Sequence, residues 1–354
     1  MSDISQRKAD HLDLAEKGDV GFKKTTTLFE CVRLVHDALP ELEYHEVDTR
    51  CSLLGKTLGA PILIAAMTGG HERAERINSE LAELAEERGY AFGLGSQRAM
   101  YRDRAKLKSY AVRHVAPSAL ILGNLGVVQA ALMSSAEVQD LVGAVGADAL
   151  CIHLNPAMEL VQAEGDRDFR HGLETLARLQ AELEVPIIAK ETGCGLSSRV
   201  ARRLRQAGIR HVDVSGAGGT SWVAVETQRA RDAQKELGQA FWDWGIPTAA
   251  SVALVAREGF ETIFATGGVK SGLDVVKGIA LGASAGGIAR PMLQALEGGG
   301  PEGARAYAAR VESEIRTAML LTGSRNVSAL RRAPRVIVGE LTDWLSQEPS
   351  ELAP

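Results

Sequence analysis

Arg7, Lys8 and His11 stand near the amino terminus at helical spacing, Arg7 and His11 at i, i+4 and Lys8 and His11 at i, i+3. One helix face can therefore present three cationic or donor groups, a set suited to an anion. In His153-Leu154-Asn155, His153 and Asn155 are two apart and share one side of an extended strand. Met158-Glu159 follows, then Gln162, Glu164, Asp166, Arg167 and Asp168. A carboxylate there suits Mg²⁺, which takes one or two carboxylates and fills its shell with phosphate oxygens and water. Taken alone, each of these stretches also reads as a solvated charged surface.

A third group consists of polar residues beside glycines, each closing a short apolar run. These are Met67-Thr68-Gly69-Gly70, Gly95-Ser96-Gln97-Arg98, Gly123-Asn124-Leu125-Gly126, Lys190, Ser215 through Thr220, Gly267-Gly268 and Ala289-Arg290. Thr68, Ser96 and Asn124 can hydrogen-bond a flat polar heterocycle, and Lys190 can stabilise negative charge on it. The late glycines let backbone N–H groups approach a phosphate. A phosphorylated flat cofactor such as FMN satisfies both halves.

These groups need a scaffold that brings strand ends onto one rim. Apolar, β-prone runs occur near 61–66, 90–94, 118–122, 147–152, 186–189, 211–214, 262–265 and 285–289. Helical stretches rich in Ala, Leu, Glu and Arg lie between most of them, at 74–88, 172–184, 197–207 and 271–281. Eight such alternations predict a (β/α)₈ TIM barrel, with an open doubly wound sheet as the alternative. Active sites of such barrels lie at the carboxyl ends of the strands, where the polar groups stand. The expected organisation is an N-terminal extension over 1–60, partly helical, that covers one barrel mouth or reaches a neighbouring subunit and contributes to substrate binding. The barrel follows over 61–345, with a flexible tail at 346–354. The connection 217–261 is the longest and predicts an extra helix or lid.

Composition narrows the class. The chain has 354 residues, 45% of them hydrophobic and 24% charged, with a net charge of −5, which excludes disorder and any global basic field for nucleic acid or anionic lipid. An anionic ligand must be met by a local cluster. Cys31, Cys51, Cys151 and Cys194 are dispersed, without CxxC or zinc spacing, which points to a reducing cytoplasm. No apolar run approaches the roughly 20 residues that span a bilayer. Gly298, Gly300 and Gly303 fit GxGxxG, but Pro301 and the lack of a preceding strand remove the dinucleotide context. Gly55-Lys56-Thr57 ends like a P-loop, yet position 50 is Arg.

At these residues the chain resembles the type 2, flavin-dependent isopentenyl-diphosphate delta-isomerases. The likeness rests on Arg7-Lys8 with His11, Lys24-Thr25-Thr26-Thr27, Met67-Thr68-Gly69-Gly70, Gly95-Ser96 with Arg98, and Asn124-Leu125-Gly126. It continues through His153-Leu154-Asn155-Pro156, Gln162-Ala163-Glu164-Gly165-Asp166, Lys190-Glu191 with Gly193 and Gly195, and Ser215 through Trp222, and so covers nearly the whole chain. The resemblance implies a (β/α)₈ barrel that binds FMN and Mg²⁺, uses flavin reduced by NADPH, and interconverts isopentenyl and dimethylallyl diphosphate in isoprenoid biosynthesis. It implies a homo-oligomer, tetramer or octamer.

By matching positions, Thr68, Gly69, Gly70, Ser96, Asn124, Lys190, Ser215, Thr220, Gly267, Gly268, Ala289 and Arg290 would hold FMN. Arg7, Lys8, His11, Ser96, Arg98, His153 and Asn155 would hold the diphosphate, and Glu159 the Mg²⁺. One position departs from the family pattern: Met158 stands where the family has Gln, and a thioether can neither donate a hydrogen bond nor relay a proton. Gln162, one turn on, can substitute only if that segment is helical. No His/Glu pair is placed by sequence both to give and to take a proton, which assigns acid–base work to the cofactor. Two rival readings are an FMN oxidoreductase related to hydroxy-acid oxidases, which needs a His and an Arg near the sixth and seventh strand ends, and an inactive flavin-binding paralogue.

Overall fold

The computed structural model describes residues 4–346. Eight parallel strands close into one barrel: β1 (Ile62–Ile64), β2 (Ala91–Gly93), β3 (Leu120–Gly126), β4 (Ala149–Leu154), β5 (Ile187–Glu191), β6 (His211–Asp213), β7 (Thr262–Ala265) and β8 (Ala285–Ile288). Closure is made by β8 on β1, with Gly286 opposite Ile62 and Ile288 opposite Ile64. This is the predicted (β/α)₈ barrel, and the open sheet is excluded. Inward side chains of Leu63, Leu120, Leu122, Cys151, Ile188 and Phe264 fill the interior as a packed core. Cys151 is thus barrel filling, and all four cysteines are free.

The helices between strands start and stop where their end residues dictate. The Ser197 hydroxyl accepts from the Val200 amide and caps Ser198–Gln206, and Ser271 caps Gly272–Ala280 in the same way. Gly89, at φ +65°, ends Glu72–Arg88 in the left-handed conformation. Strands β3 and β4 run further than their apolar stretches. Asn124 pairs with Cys151 and Gly126 with His153, so the Gly123–Gly126 segment expected beyond the strand is part of it. Gly300, at φ 62° and ψ −165°, interrupts the span Arg290–Leu321, and Pro301 opens its second helix.

The segment before β1 serves both ends of the barrel, where one end was expected. Helix Ile4–Lys17 lies over the carboxyl rim, held by Arg73 to Asp13 at 2.6 Å and to Glu16 at 3.0 Å. At the opposite end the hairpin Cys51–Leu53/Lys56–Leu58 inserts Leu53 and Leu58 into the barrel core. Strand Val32–Leu34 pairs antiparallel with Arg335–Ile337 and ties this segment to the chain's carboxyl-terminal part. The long connection after β6 carries helices Trp222–Arg229, Asp232–Ala240 and Thr248–Ala256. Past Ser346, the expected tail lies outside the described residues. Among the described residues no helix is long and apolar enough to cross a membrane.

Candidate active site

The carboxyl ends of the strands and the N-terminal helix enclose a cavity of about 700 Å³. Thr68 and Gly69 follow β1, Ser96 and Arg98 follow β2, and Asn124 lies on β3. Lys190 ends β5 with Glu191, Ser215 through Thr220 follow β6, Gly267 and Gly268 follow β7, and Ala289 and Arg290 follow β8. His153, Asn155, Met158, Glu159 and Gln162 come from β4 and the helix Pro156–Val161, and Lys8 and His11 reach in from the N-terminal helix. Two expected residues stand apart. Gly70 is not among the residues that line the cavity: its amide donates to Ser109 Oγ at 2.8 Å, and a Cβ there would meet Ala99, Tyr110 and Lys8 Nζ. The Arg7 side chain lies outside the described residues, although its backbone is in the N-terminal helix.

Strand β3 orients β4 chemistry. Asn124 Nδ2 donates to the Leu94 carbonyl at 3.0 Å, which turns Oδ1 toward His153 Nδ1 at 2.9 Å. Nδ1 therefore carries the proton and the neutral ring keeps its lone pair on Nε2. Burial, and then the cations Lys190, Lys8 and Arg98, lower the His153 pKa to about 3. Asn155 and Glu159 are similarly interlocked: Asn155 Nδ2 donates to Glu159 Oε1 at 2.8 Å, and the Asp166 amide donates to Oε2 at 2.9 Å.

Glycines shape the other side of the cavity. Gly267 and Gly268 hold φ of +97° and +74°, and a Cβ at either would strike the backbone of Gly216 or Gly218. The result is a close-packed backbone cradle beside Arg290, whose buried Nε has no hydrogen-bond partner. Arg98 Nε, across the cavity, is equally buried and unpartnered. Buried guanidinium donors left unpaired are costly unless an anion completes them. The glycine cradle and Arg290 fit a phosphate, and the polar wall of Thr68, Ser96, Asn124 and Lys190 fits a flavin ring.

Several residues that sequence reading missed act from behind this wall. Asp213 is 2% exposed and contacts three cavity-lining residues: its Oδ2 pairs with Lys190 Nζ at 3.2 Å, and its Oδ1 accepts from the Thr266 hydroxyl and the Ser215 amide. The signal was available, since Asp213 closes β6 two residues before the rim residue Ser215. His11 Nε2 donates to Glu226 Oε1 at 2.6 Å, and Arg229 holds the other oxygen at 2.8 Å. Burial alone would raise the Glu226 carboxyl, but the hydrogen bond and charge of His11, with Arg229, hold it below its ordinary range. A His/Glu pair thus borders the cavity after all, with the edge of Trp222 against the His11 ring. The Thr68 hydroxyl meets His71 Nε2 at 2.7 Å, and burial with Lys8 lowers the His71 pKa to about 4. Met158 and Gln162 reach the same cavity, Gln162 being the first residue past the helix Pro156–Val161.

Behind Lys190, the Glu191 carboxylate accepts from the amides of Thr192 at 2.6 Å, Cys194, and Gly195 at 3.2 Å. Burial raises its pKa from 4.5 to about 7 against the pull of these amides. Across that window the folded chain holds a proton that the unfolded chain releases, so this group's stabilisation falls as pH rises. His153 has the opposite sign, losing stabilisation as pH falls from 6.5 toward 3. Glu191→Gln keeps an acceptor for the amides and removes the titration. It is expected to flatten the decline in stability between about pH 4.5 and about pH 7 in urea unfolding; an unchanged slope would show that Glu191 does not titrate in this way.

Residues 154–336 match the FMN-dependent dehydrogenase family model. Solved structures similar to this chain include a mandelate oxidase variant with a monooxide FMN adduct, with a TM-score of 0.65 at 20% identity, covering 92% of this chain and 95% of that one. Another is a mandelate oxidase with (S)-2-phenylpropionate, with a TM-score of 0.63 at 19% identity and coverage of 94% and 97%. At such identity these show the fold alone. Curated isopentenyl-diphosphate delta-isomerases are much nearer. The Halobacterium salinarum protein is 44% identical over 351 residues, covering 97% of this chain and 96% of its own length. Those of Thermococcus kodakarensis (45%, covering 96% and 93%) and Synechococcus (46%, covering 94% and 96%) are similar. Full-length likeness to these enzymes, on a flavin-type barrel whose rim carries the residues described, places the chain in the isopentenyl-diphosphate delta-isomerase family, in its FMN-dependent class.

Proposed function

We propose that this chain interconverts isopentenyl and dimethylallyl diphosphate by a 1,3-proton shift, with reduced FMN and Mg²⁺. The observation that carries the reading is one cavity that brings together two unlike sets of residues: a polar, glycine-cradled set suited to a flavin, and a cluster of Lys8, His11, Arg98, His153 and Asn155 suited to a diphosphate. Thr68, Gly69, Ser96, Asn124, Lys190, Ser215, Thr220, Gly267, Gly268, Ala289 and Arg290 would hold FMN, and Glu159 would hold Mg²⁺. Arg7 remains part of the proposed diphosphate set. Reduced FMN, when bound, supplies acid–base chemistry at the alkene.

The protein's own part is to bind, orient and exclude water. The N-terminal helix roofs the cavity, so the segment 1–60 belongs functionally to the barrel 61–345. His153, held neutral beside three cations, gains basicity when an anionic diphosphate offsets them. Lys190, on the flavin side, stabilises negative charge on the ring. The histidines lining the cavity are His11 and His153, from the N-terminal helix and β4. Neither lies at the sixth or seventh strand end, which counts against a hydroxy-acid oxidase. NADPH as reductant, a tetrameric or octameric assembly and a cytoplasmic location complete the proposal.

The decisive experiment records the absorption spectrum of the purified protein before and after NADPH, then assays isomerisation with Mg²⁺. A flavin spectrum that bleaches and supports turnover is expected; no turnover with flavin reduced and diphosphate bound would overturn the reading. Met158 gives the inactive-paralogue reading its one observation. Met158→Gln is the arm that separates them, because a large gain from near-zero activity would select the paralogue.

A further inference from the structure

Tyr110 lies buried just past the short 3₁₀ turn Arg104–Ser109, away from every motif. Its hydroxyl donates to the Ser96 carbonyl at 2.7 Å and accepts from Lys8 Nζ at 2.7 Å. The same ammonium donates to the Ser96 carbonyl at 2.8 Å. Three groups 14 to 102 residues apart thus close one triangle between the N-terminal helix, the end of β2 and the turn before β3. Burial pushes the phenol well above its ordinary range, so the hydroxyl keeps its single hydrogen, given to Ser96, and its lone pairs face the ammonium. The ring is equally fixed. A Cβ on Gly69 would strike it, and Ser109 next door anchors the Gly70 amide.

We propose that Tyr110 is a positioning residue for the diphosphate end of the substrate: it holds Lys8, which the N-terminal helix supplies, against the barrel rim at Ser96. Lysine is a flexible point charge, and fixing it beforehand removes ordering that substrate binding would otherwise have to supply. Because Tyr110 sits behind Lys8 and Ser96, it governs binding of the phosphates and leaves the reacting carbons untouched. The inference rests on the reading that Lys8 meets the diphosphate.

Tyr110→Phe keeps the ring that Gly69 packs against and removes only the hydroxyl. In the flavin-loaded protein, KM for the prenyl diphosphate and the dissociation constant of inorganic pyrophosphate are each expected to rise about tenfold. The turnover number should change less than about twofold, with flavin spectrum and thermal midpoint unaltered. Lys8→Ala should raise the same constants, and adding Tyr110→Phe to it should add nothing, since the hydroxyl acts through the ammonium. Unchanged pyrophosphate binding in Tyr110→Phe, additive effects in the double variant, or a loss confined to turnover would each overturn the proposal. If the wild-type protein holds flavin but binds no pyrophosphate, the reading of Lys8 fails and the proposal falls with it.

Discussion

Glu159→Gln is expected to lower kcat/KM by about 10³-fold and to abolish its dependence on Mg²⁺ concentration. Glu159 is 7% exposed, and its two oxygens accept from Asn155 Nδ2 and from the Asp166 amide. An amide in its place offers one acceptor and one donor, so one of the two neighbouring N–H groups would meet another N–H. The substitution therefore removes the anionic ligand proposed for Mg²⁺ and also turns the Asn155 side chain or the Asp166 loop away from the cavity. A Lewis-acid ion on a phosphate is worth several kcal/mol, and about 4 kcal/mol corresponds to the expected thousandfold. Glu159→Asp should recover part of the loss, since it keeps the charge with a shorter reach. Kinetics at graded Mg²⁺ check the argument; a Glu159→Gln enzyme within about tenfold of wild type that still responds to Mg²⁺ would remove Glu159 from the metal site.

Most of this architecture was readable before the structure, for a physical reason. Runs such as Pro61-Ile-Leu-Ile-Ala-Ala and Val185-Pro-Ile-Ile-Ala are apolar on both faces, as strands buried between helices and barrel core must be, and each ends in a residue with a hydrogen-bonding or glycine backbone role. Because a parallel barrel places all carboxyl ends on one rim, Thr68, Ser96, Asn124, His153, Lys190 and Ser215 could be assigned to one site from chain order alone. Contacts between remote elements were another matter. Lys8 and Tyr110 are 102 residues apart, and His11 and Glu226 are 215 apart, on elements whose mutual placement no local pattern encodes. The extent of β3 depends on its partner, since Asn124 and Gly126 are held extended by Cys151 and His153. The hairpin that plugs the barrel floor was hidden in the same way. Leu53 and Leu58 look like ordinary apolar residues of a leader segment until the barrel's open end is there to receive them.

The Lys190–Asp213 pair leads to the second large effect, one in which removing two residues should harm the fold less than removing one. Lys190→Met leaves Asp213, 2% exposed, with donors from Thr266 and Ser215 but without its cation. A buried carboxylate stripped of its counter-ion costs about 3–5 kcal/mol, so urea unfolding of the flavin-free Lys190→Met protein should show a loss of that size. Adding Asp213→Asn removes the orphaned charge while the amide oxygen still accepts from Thr266 and the Ser215 amide. Stability should then return to within about 1 kcal/mol of wild type, because replacing both members of a buried pair is often neutral. Flavin behaviour should not return with it. Lys190 faces the cavity and Asp213 does not, so the double variant regains its fold yet still lacks the cation beside the proposed ring. Its bound FMN, titrated electrochemically, should remain harder to reduce than in the wild type. A double variant as unstable as Lys190→Met would show that Asp213 is not what the missing ammonium destabilises. Recovery of both stability and wild-type potential would instead assign Lys190 to holding Asp213 and remove it from the flavin site.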